Sequence, residues 1–497
     1  MTAQDQKRCS LADLGLTAKG GAQARVTGLT LDSRAVTAGT LFAALPGARV
    51  HGAEFIQYAI RMKASAVLTD AEGAKIAADV LDGWDGALVV AEDARAALAG
   101  AAALWFGAQP EVMVAVTGTN GKTSVASFTR QILQRLGMKA ANIGTTGIEG
   151  DFTGGTAHTT PDTITLHKLL AEMADEGVTH AAMEASSHGL DQRRLDGVRL
   201  QAAGFTNFSQ DHLDYHETME AYFEAKMGLF TRILPDEAWA VVNLDDKHGP
   251  EVAEIAFDAG QTVLGVGRGE ACDLRLLGQR FGATGQDVRF TFGGETHQLH
   301  LPLIGGFQAE NVLIAVGLVL SLGIPLEDIA RVLPKLQTVR GRMEHAGTRA
   351  NGASVFVDYA HTPDALATAC RALRPHVLGR LIVVFGAGGD RDPGKRPLMG
   401  EAVKRNADVA FVTDDNPRTE DPELVRRAIL AAIPEATEVA DRAEAILRGV
   451  DALGPGDVLL IAGKGHETGQ TVGDTVYPFD DVEQASVAIA ALDGGLA

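Results

Sequence analysis

The feature that most constrains the fold is a glycine-containing turn between an apolar run and a helical pattern. The apolar run covers residues 112–117, and the turn reads Thr117-Gly-Thr-Asn-Gly-Lys-Thr123. A strand that leads through such a turn into a helix is typical of α/β proteins that bind phosphates, because glycines let backbone N–H groups converge on an anion. Lys122 adds a positive charge, and the Thr123 hydroxyl can bind Mg²⁺.

The turn therefore predicts a nucleotide triphosphate site, although its first glycine departs from the spacing of the common P-loop. The alternative is a strand–turn–helix connection that contains Gly-Lys-Thr by chance. The residues that we expect to bind the phosphates are Gly118, Thr119, Asn120, Gly121, Lys122, Thr123 and Ser124.

Length and charge limit the class of protein. A chain of 497 residues is too long for one core, and about three domains are expected. The 44 basic and 64 acidic residues give a net charge of -20, which argues against a nucleic-acid partner. Three distant cysteines make neither a disulfide framework nor a C-x-x-C metal site, and no apolar run is long enough to span a bilayer. We expect a cytoplasmic monomer without a membrane span.

The pattern of apolar residues predicts an α/β fold of three domains. The expected divisions are a small N-terminal α/β domain over 1–108, a central P-loop-type domain over 109–339 and a C-terminal Rossmann-like α/β domain over 340–497. Strand and helix alternate in the second and third, which predicts mainly parallel sheets. The predicted central elements are strand 112–117, helix 123–136, helix 163–176, strand 180–185, strand 203–208, helix 219–234 and strand 238–243.

Two further patterns bear on function. Between 273 and 303 the period changes to two around Gly293-Gly294, which predicts an antiparallel excursion. In the last domain, polar loops follow predicted strands at 386–392, 414–418 and 463–467. Loops at the carboxyl ends of parallel strands are where open sheets bind ligands, so we expect a ligand site there.

Three polar side chains follow the phosphate loop. Glu184 ends a predicted strand, His212 lies in a polar loop, and Lys226 lies in the next predicted helix. A carboxylate, a neutral imidazole and the Thr123 hydroxyl can ligate a divalent cation, whereas a protonated lysine cannot. From the residues alone, Lys226 is either a phosphate contact or a solvated helix residue. Glu184 and His212 are either ligands or an ordinary strand-end carboxylate and a loop histidine.

Five spaced motifs together resemble the Mur ligase family. They are the phosphate loop, Glu184-Ala-Ser-Ser-His-Gly-Leu190, Asp211-His212 with a lysine fourteen positions after that histidine, Gly341-Arg-Met-Glu344 and Asp358-Tyr-Ala-His-Thr-Pro-Asp364. The resemblance covers essentially the whole chain. It implies a three-domain, ATP-dependent ligase that adds an amino acid to the UDP-muramoyl peptide precursor of peptidoglycan, and so serves cell-wall synthesis, cell shape and cell division.

The resemblance also implies residue roles. ATP is the co-substrate and activates a carboxylate as an acyl phosphate. The catalytic residues are Lys122, Glu184, His212 and Lys226, and CO₂ converts Lys226 into a carbamate. Two Mg²⁺ ions are implied, one near Thr123 and Glu184 and one near His212 and the carbamate. Asn311 and Arg342 match nucleotide contacts, and Asp358 lies where the third domain closes on the nucleotide.

Further positions match those that bind the UDP-muramoyl dipeptide. They are Leu31, Ser33, Thr159, Thr160, Ser186, Gln192 and Arg194. Two positions depart from the family pattern: Ala48-Arg-Val50 replaces a uridine-side loop often written His-Gln-Ala, and His158 replaces an asparagine.

The run Asp415-Asn-Pro-Arg418 resembles the signature of the family members that select meso-diaminopimelate. That substrate has one more carboxylate than L-lysine, and a planar guanidinium can bind it through two hydrogen bonds. The diaminopimelate site is expected at Arg391, Asp415, Asn416, Pro417, Arg418, Gly463 and Glu467. The alternative is an arginine that pairs with Glu420 or Asp421 at the start of a helix.

Other functions remain open at the level of the sequence. The chain could add L-lysine or serve another step in the same family, or it could be a folylpolyglutamate synthetase, which shares the phosphate loop. A nucleotide-gated binding protein without amide chemistry is the alternative from another class.

Overall fold

The structure is a computed structural model that describes residues 7–21, 23–47, 50–156, 158–211, 213–282 and 285–494. The chain divides into two compact units. The first comprises Met1–Cys272 and Ile314–Leu326, and the second comprises Asp273–Leu313 and Glu327–Ala497. In the part of the chain that the structure describes, no helix is long and apolar enough to cross a membrane.

The first unit begins with a small α/β layer around a four-stranded parallel sheet. The strands, in spatial order, are Gly28–Thr30, Thr40–Ala43, Ala66–Thr69 and Ala87–Val90. The helices of this layer are Ile56–Arg61, Ala71–Ile76, Ala78–Leu81 and Ala94–Phe106. The last helix starts where Asp93 accepts a hydrogen bond from the Ala96 N–H, a standard N-cap, and it buries Leu98 and Trp105.

Seven strands of a larger sheet form the middle of the first unit. In spatial order they are Thr262–Gly267, Trp239–Asn243, Leu200–Phe205, Val112–Thr117, His180–Glu184, Ala140–Gly144 and Gly147–Gly150. All neighbours are parallel except the last pair. The parallel strands are mainly apolar because helices cover both faces of such a sheet. The helices are Lys122–Arg135, Thr163–Asp175, Ser187–Asp191, Leu213–His216, Met219–Gly228 and Gly249–Asp258.

One predicted strand of this sheet and one predicted helix that packs near it have other bounds in the structure. The strand predicted over 203–208 is Leu200–Phe205, because the chain leaves the sheet at Thr206, whose hydroxyl donates to the Asn120 carbonyl at 2.6 Å. The helix predicted over 219–234 ends at Gly228 and continues as a π turn, Leu229–Ile233. Both forms bury the same apolar side chains, so the apolar pattern does not distinguish them.

The second unit contains the predicted antiparallel excursion. Leu274–Gly282, Gly285–Phe292 and Glu295–Leu301 pair antiparallel in chain order, which confirms the prediction. Gly293 and Gly294 make the turn with φ of 58° and 86°, values that suit glycine. The helices Phe307–Leu320 and Leu326–Val332 follow.

The C-terminal part of the second unit is a six-stranded α/β layer. Its strands, in spatial order, are Glu344–Thr348, Ser354–Asp358, Val458–Ala462, Leu381–Phe385, Val409–Val412 and Thr437–Glu438. All neighbours are parallel except the first pair. The helices are Pro363–Leu373, Lys395–Asn406, Pro422–Leu430, Arg442–Asp451 and Asp481–Leu492. A hairpin, Gly469–Val472 with Thr475–Pro478, precedes the last helix.

This strand order determines where a ligand can bind. Val458–Ala462 lies between Ser354–Asp358 and Leu381–Phe385, and Val409–Val412 follows. The carboxyl ends of these four parallel strands meet at one edge of the sheet, so the polar loops that follow them are neighbours.

A fully buried ion pair holds the last two helices together: Arg442 donates to both carboxylate oxygens of Asp481 at 2.8 and 2.7 Å.

Candidate active site

The phosphate loop follows the strand Val112–Thr117 and opens directly into the helix Lys122–Arg135. Gly121 is the last residue before the helix and has φ of 87°. At Gly118, with φ of 142°, an added Cβ would overlap the Thr206 hydroxyl. Both positions therefore require glycine, and the start of a helix that follows such a turn is suited to bind an anion.

The residues after Phe205 accept hydrogen bonds from the phosphate loop. The Asn120 N–H donates to the Asn207 side chain at 2.9 Å, and the Thr119 N–H donates to the Asn207 carbonyl at 2.8 Å. The Thr119 hydroxyl donates to the Ser209 carbonyl at 3.1 Å. Thr123 and Ser124 are buried at the start of the helix. Hydrogen bonds to the segment after Phe205 thus fix the conformation of the phosphate loop.

Two lysines meet at the Gly118 carbonyl. Lys122 Nζ donates to it at 2.9 Å and to the Thr119 carbonyl at 2.8 Å, and Lys226 Nζ donates to the Gly118 carbonyl at 2.8 Å. Lys226 is only 1 % exposed and lies 4.4 Å from the centre of the Tyr222 ring. Burial, and then the charge of Lys122, hold the pKa of Lys226 well below its usual value. The prediction of a solvated helix residue is therefore wrong for Lys226.

Glu184 ends its strand beside Val116 and is almost fully buried. Thr145 binds both oxygens of its carboxylate: the backbone N–H donates to Oε1 at 2.7 Å, and the hydroxyl donates to Oε2 at 3.2 Å. An added Cβ at Gly144 would overlap this carboxylate. The carboxylate therefore has one defined orientation at the edge of the sheet where the phosphate loop begins.

Five of the residues expected to bind the UDP-muramoyl dipeptide lie together. Thr160 accepts a hydrogen bond from the Ser186 hydroxyl at 2.9 Å, and its carbonyl accepts one from Arg194 at 2.7 Å. Arg194 also donates to the Gln192 side chain at 2.7 Å. The Thr159 and Thr145 hydroxyls are 3.1 Å apart, which connects this group to Glu184.

The other two expected dipeptide contacts lie in the small N-terminal layer. Leu31 and Ser33 stand where the strand Gly28–Thr30 leads into the turn Ser33–Ala35, and Leu31 is exposed. Ala48 and Arg49 of the uridine-side loop, and the catalytic candidate His212, lie outside the described residues.

Arg342 lies close to a second expected nucleotide contact of the second unit, Asp358. Its carboxylate accepts the N–H groups of Met343 and Ala360, each at 2.8 Å, and burial raises its pKa. Arg342 lies over the Tyr359 ring at 4.5 Å. Asn311 is buried on the helix Phe307–Leu320, where its amide donates to Gln308 at 3.1 Å.

Arg418 is held in an unusual backbone conformation by the hairpin. Its φ is 52°, which is rare for a residue with a side chain. Its N–H donates to the Thr471 carbonyl at 3.0 Å, and its carbonyl accepts the Gly473 N–H at 2.7 Å. The guanidinium donates to the Gly389 carbonyl at 2.7 Å. Backbone strain of this kind concentrates at functional sites.

The alternative interpretation of Arg418 is wrong. Glu420 accepts two hydrogen bonds from Arg396, at 2.8 and 2.9 Å, and Asp421 caps the helix Pro422–Leu430. An added Cβ at Gly388 would lie 2.9 Å from the Arg418 guanidinium and 3.8 Å from the Arg391 side chain, so the two arginines flank the same glycine.

Two carboxylates lie in loops at the same sheet edge as these arginines. Asp415 is buried against Gly463, where an added Cβ would overlap its carboxylate, and Gly463 has φ of 122°. Glu467 accepts a hydrogen bond from Asn416 at 2.9 Å. Pro417 is buried between Asn416 and Arg418. All seven residues expected to bind diaminopimelate therefore belong to loops at one sheet edge.

The sequence interpretation missed Lys464, which is fully buried and donates to both Asn416 and Glu467. A lysine between two glycines, Gly463 and Gly465, is the only signal in the sequence that could have indicated it.

Candidate metal ligands are sparse among the described residues. They contain no group of three or more His, Cys, Asp and Glu side chains that could hold a metal ion. Mg²⁺ at a nucleotide keeps water and phosphate oxygens and needs only one or two protein ligands. The Thr123 hydroxyl and the Glu184 carboxylate are of the right chemistry for that role.

Comparison with known proteins gives consistent matches along the chain. Residues 25–115 match the model of the Mur ligase family catalytic domain, 116–319 the Mur ligase middle domain and 341–465 the Mur ligase glutamate ligase domain. A UDP-N-acetylmuramoyl-L-alanyl-D-glutamate–2,6-diaminopimelate ligase from Caulobacter vibrioides is 51 % identical over 94 % of this chain and 96 % of its own length.

Solved structures agree with this. A UDP-N-acetylmuramoyl-L-alanyl-D-glutamate–2,6-diaminopimelate ligase has a TM-score of 0.72 at 33 % identity and covers 98 % of this chain and 99 % of its own. A folylpolyglutamate synthase from Mycobacterium tuberculosis, with a TM-score of 0.59 at 19 % identity over 80 % of this chain and 95 % of its own, shares the fold. With three domain models matched in order and a relative half identical over nearly the whole length, the chain belongs to the Mur ligase family.

Proposed function

We propose that this chain joins meso-diaminopimelate to the D-glutamate of UDP-N-acetylmuramoyl-L-alanyl-D-glutamate, with hydrolysis of ATP to ADP and phosphate, in the synthesis of the peptidoglycan precursor. The chain is an ATP-dependent ligase by family. The observation that carries the choice of amino acid is the sheet edge where Arg391 and Arg418 flank Gly388 and where Asp415 and Glu467 lie in the adjoining loops.

The chemistry requires an activated acid. A carboxylate does not condense with an amine at neutral pH, because the oxide is a poor leaving group. Transfer of the ATP γ-phosphoryl group to the D-glutamate carboxylate gives an acyl phosphate and ADP. The amine of the incoming amino acid then attacks the acyl carbon, the amide forms, phosphate leaves, and the amine gives up a proton.

The phosphate loop supplies the charge stabilisation that this transfer needs. Gly118 to Ser124 would bind the phosphates, with Lys122 as the cation that lies beside them. Mg²⁺, held by Thr123 and Glu184 and with a second ion at His212, would neutralise the developing charge on the phosphoryl oxygens. Thr159, Thr160, Ser186, Gln192 and Arg194, with Leu31 and Ser33, would bind the UDP-muramoyl dipeptide, and Asn311, Arg342 and Asp358 would complete the nucleotide site.

Lys226 is proposed to act as a carbamate. Its Nζ lies 2.8 Å from the Gly118 carbonyl, at the base of the phosphate loop. The neutral amine attacks CO₂ and loses a proton, so an anionic oxygen ligand replaces a cation that could not bind a metal. We expect short carboxylates to restore turnover to Lys226→Ala, and a variant that no carboxylate rescues would contradict this role.

The distal end of the substrate decides the specificity. Meso-diaminopimelate ends in a carboxylate and an ammonium, and two guanidinium groups beside two carboxylates suit such a zwitterion. L-lysine has no second carboxylate, so it would leave Arg391 and Arg418 without their anion.

Phosphate release with the UDP-muramoyl dipeptide, offered meso-diaminopimelate and L-lysine in separate reactions, tests the function. We expect turnover with diaminopimelate and little with L-lysine. Arg418→Ala should raise the activation free energy that corresponds to kcat/KM for diaminopimelate by about 2 to 5 kcal/mol, because the substrate carboxylate loses its charge partner. Arg405→Ala is the matched control, since Arg405 forms only an exposed pair with Glu401. An unchanged preference over L-lysine in Arg418→Ala would refute the assignment.

The rival substrate, the oligomeric state and the location in the cell can each be tested by a simple measurement. Phosphate release that depends on folate and glutamate would identify a folylpolyglutamate synthetase instead. A monomer and a location in the cytoplasm, where ATP is made, fit this function. Sedimentation and cell fractionation test these two statements.

A further inference from the structure

Lys464 is a lysine with no exposed surface beside the proposed diaminopimelate site. It follows the strand Val458–Ala462, in the loop that also carries Gly463 and Glu467. Lysine is almost never fully buried unless it is paired, because its ammonium loses its hydration. Its partners therefore indicate why it is there.

Those partners are two residues of the proposed site. Lys464 Nζ donates to the Asn416 Oδ1 at 3.0 Å and to the Glu467 Oε2 at 3.1 Å. The Asn416 amide donates to the same Glu467 oxygen at 2.9 Å. Three side chains thus form a closed triangle in which each member bonds the other two.

The triangle leaves Glu467 asymmetric. Oε2 accepts hydrogen bonds from both Asn416 and Lys464, whereas Oε1 accepts none from any described residue. The Glu467 side chain is 33 % exposed. Lys464 and Asn416 therefore fix Oε2, and Oε1 keeps its capacity to accept a hydrogen bond from a ligand. A substrate ammonium requires this of a carboxylate.

The backbone is shaped to place the lysine inward. Gly463 and Gly465, on either side of Lys464, have φ of 122° and 53°. An added Cβ at Gly465 would lie 2.7 Å from the Tyr359 Cβ, so the loop packs too closely for a side chain there. The Thr471 N–H donates to the Asn416 Oδ1 at 2.9 Å and ties the triangle to the hairpin.

We propose that Lys464 is a positioning residue that orients Glu467 to accept the distal ammonium of the incoming diamino acid. It selects substrates that carry this ammonium, and it acts through Glu467 without touching the substrate. The inference rests on the proposed function, because it assumes that the sheet edge binds a diamino acid.

The test compares two substrates that differ only in the distal ammonium. Meso-diaminopimelate carries it, and L-2-aminopimelate keeps both carboxylates but lacks it. In Lys464→Met we expect kcat/KM for diaminopimelate to fall about tenfold to a hundredfold, mainly through KM, as for loss of a charged hydrogen bond. The kcat/KM for aminopimelate and the KM for ATP should stay as in the wild type.

A double-mutant cycle separates positioning from general stability. If Lys464 acts through Glu467, the double variant Lys464→Met with Glu467→Gln should discriminate between the two substrates no worse than Glu467→Gln alone. If Lys464→Met does not fold, Lys464→Gln keeps a shorter, uncharged donor, and it should show a smaller loss that is again confined to diaminopimelate.

The outcomes are distinct. Equal losses for both substrates, in whichever variant folds, would overturn the inference and leave the proposed function intact. Unchanged discrimination between diaminopimelate and aminopimelate would likewise overturn the inference and leave the proposed function intact. A wild-type protein that does not turn over diaminopimelate would overturn the proposed function and this inference together.

Discussion

At the scale of single residues, the phosphate loop brings two cations to one acceptor. Lys122 and Lys226 both donate to the Gly118 carbonyl, although two like charges in a partly buried site repel each other. The arrangement becomes favourable when a polyphosphate supplies the missing negative charge or when one lysine loses its charge. Burial and the neighbouring Lys122 lower the pKa of Lys226, so removal of its proton costs less free energy than for an exposed lysine.

Lys122→Ala should abolish measurable turnover. The variant loses a preorganised charge at the phosphoryl group, which costs on the order of 3 kcal/mol of barrier, or more than a hundredfold in rate. Release of ADP, measured in a coupled assay, is the readout. Lys168→Ala serves as control, because Lys168 is an exposed helix residue paired with Glu172. Near-normal ADP release from Lys122→Ala would remove Lys122 from the chemistry.

At the scale of elements, the sequence predicted the strands better than the loops. The strands 112–117 and 381–385 are as predicted, because continuous apolar runs between polar ends have few alternatives. The strand predicted over 203–208 has other bounds because the Thr206 hydroxyl bonds the distant Asn120 carbonyl. The π turn after Gly228 was not predicted, because it has the same apolar pattern as a helix. Among the site residues, Arg418 was recognised from a short motif, whereas Lys464 has its partners far apart in the sequence.

The loop after Val458–Ala462 gives a prediction at the element scale. Gly463→Ala places a methyl group where the Asp415 carboxylate lies and forces a side chain into φ of 122°. We expect a raised KM for diaminopimelate, with the KM for ATP unchanged, because Asp415 must move while the phosphate loop is unaffected. Steady-state kinetics with each substrate varied measures this.

Gly352→Ala is the control for backbone strain. Gly352 has φ of 87° and nothing within 4 Å of the added Cβ, so the variant carries the strain without the clash. If both variants raise the KM for diaminopimelate equally, the contact with Asp415 has no role in binding.

At the scale of the whole molecule, each unit has its own buried core, so stability is a property of each unit and a single unfolding transition is not expected. The three tryptophans, Trp84, Trp105 and Trp239, all belong to the first unit. Tryptophan fluorescence therefore follows that unit alone. Amide exchange of peptides from the strand Val458–Ala462 follows the second unit.

His466 makes the second unit sensitive to acid. Burial, and then the charge of Arg342, lower its pKa from 6.5 to about 4, and its Nδ1 has no hydrogen-bond partner among the described residues. The unfolded chain therefore binds more protons than the folded one between these two values, and the stability contributed by the neutral ring falls as the pH falls from 6.5 to 4. Below the folded pKa no further loss comes from this group.

The variant His466→Gln lacks this titration and leaves every other histidine in place. Protection of the strand Val458–Ala462 against amide exchange should thus fall more steeply with acidification in the wild type than in His466→Gln. The comparison is made at matched pH values between 7 and about 4.5, with the intrinsic exchange rate corrected at each value, because the opening free energy reports the proton uptake directly. Parallel curves for the two proteins would mean that His466 has the same pKa in the closed and the open state, and the acid sensitivity would have to come from other groups.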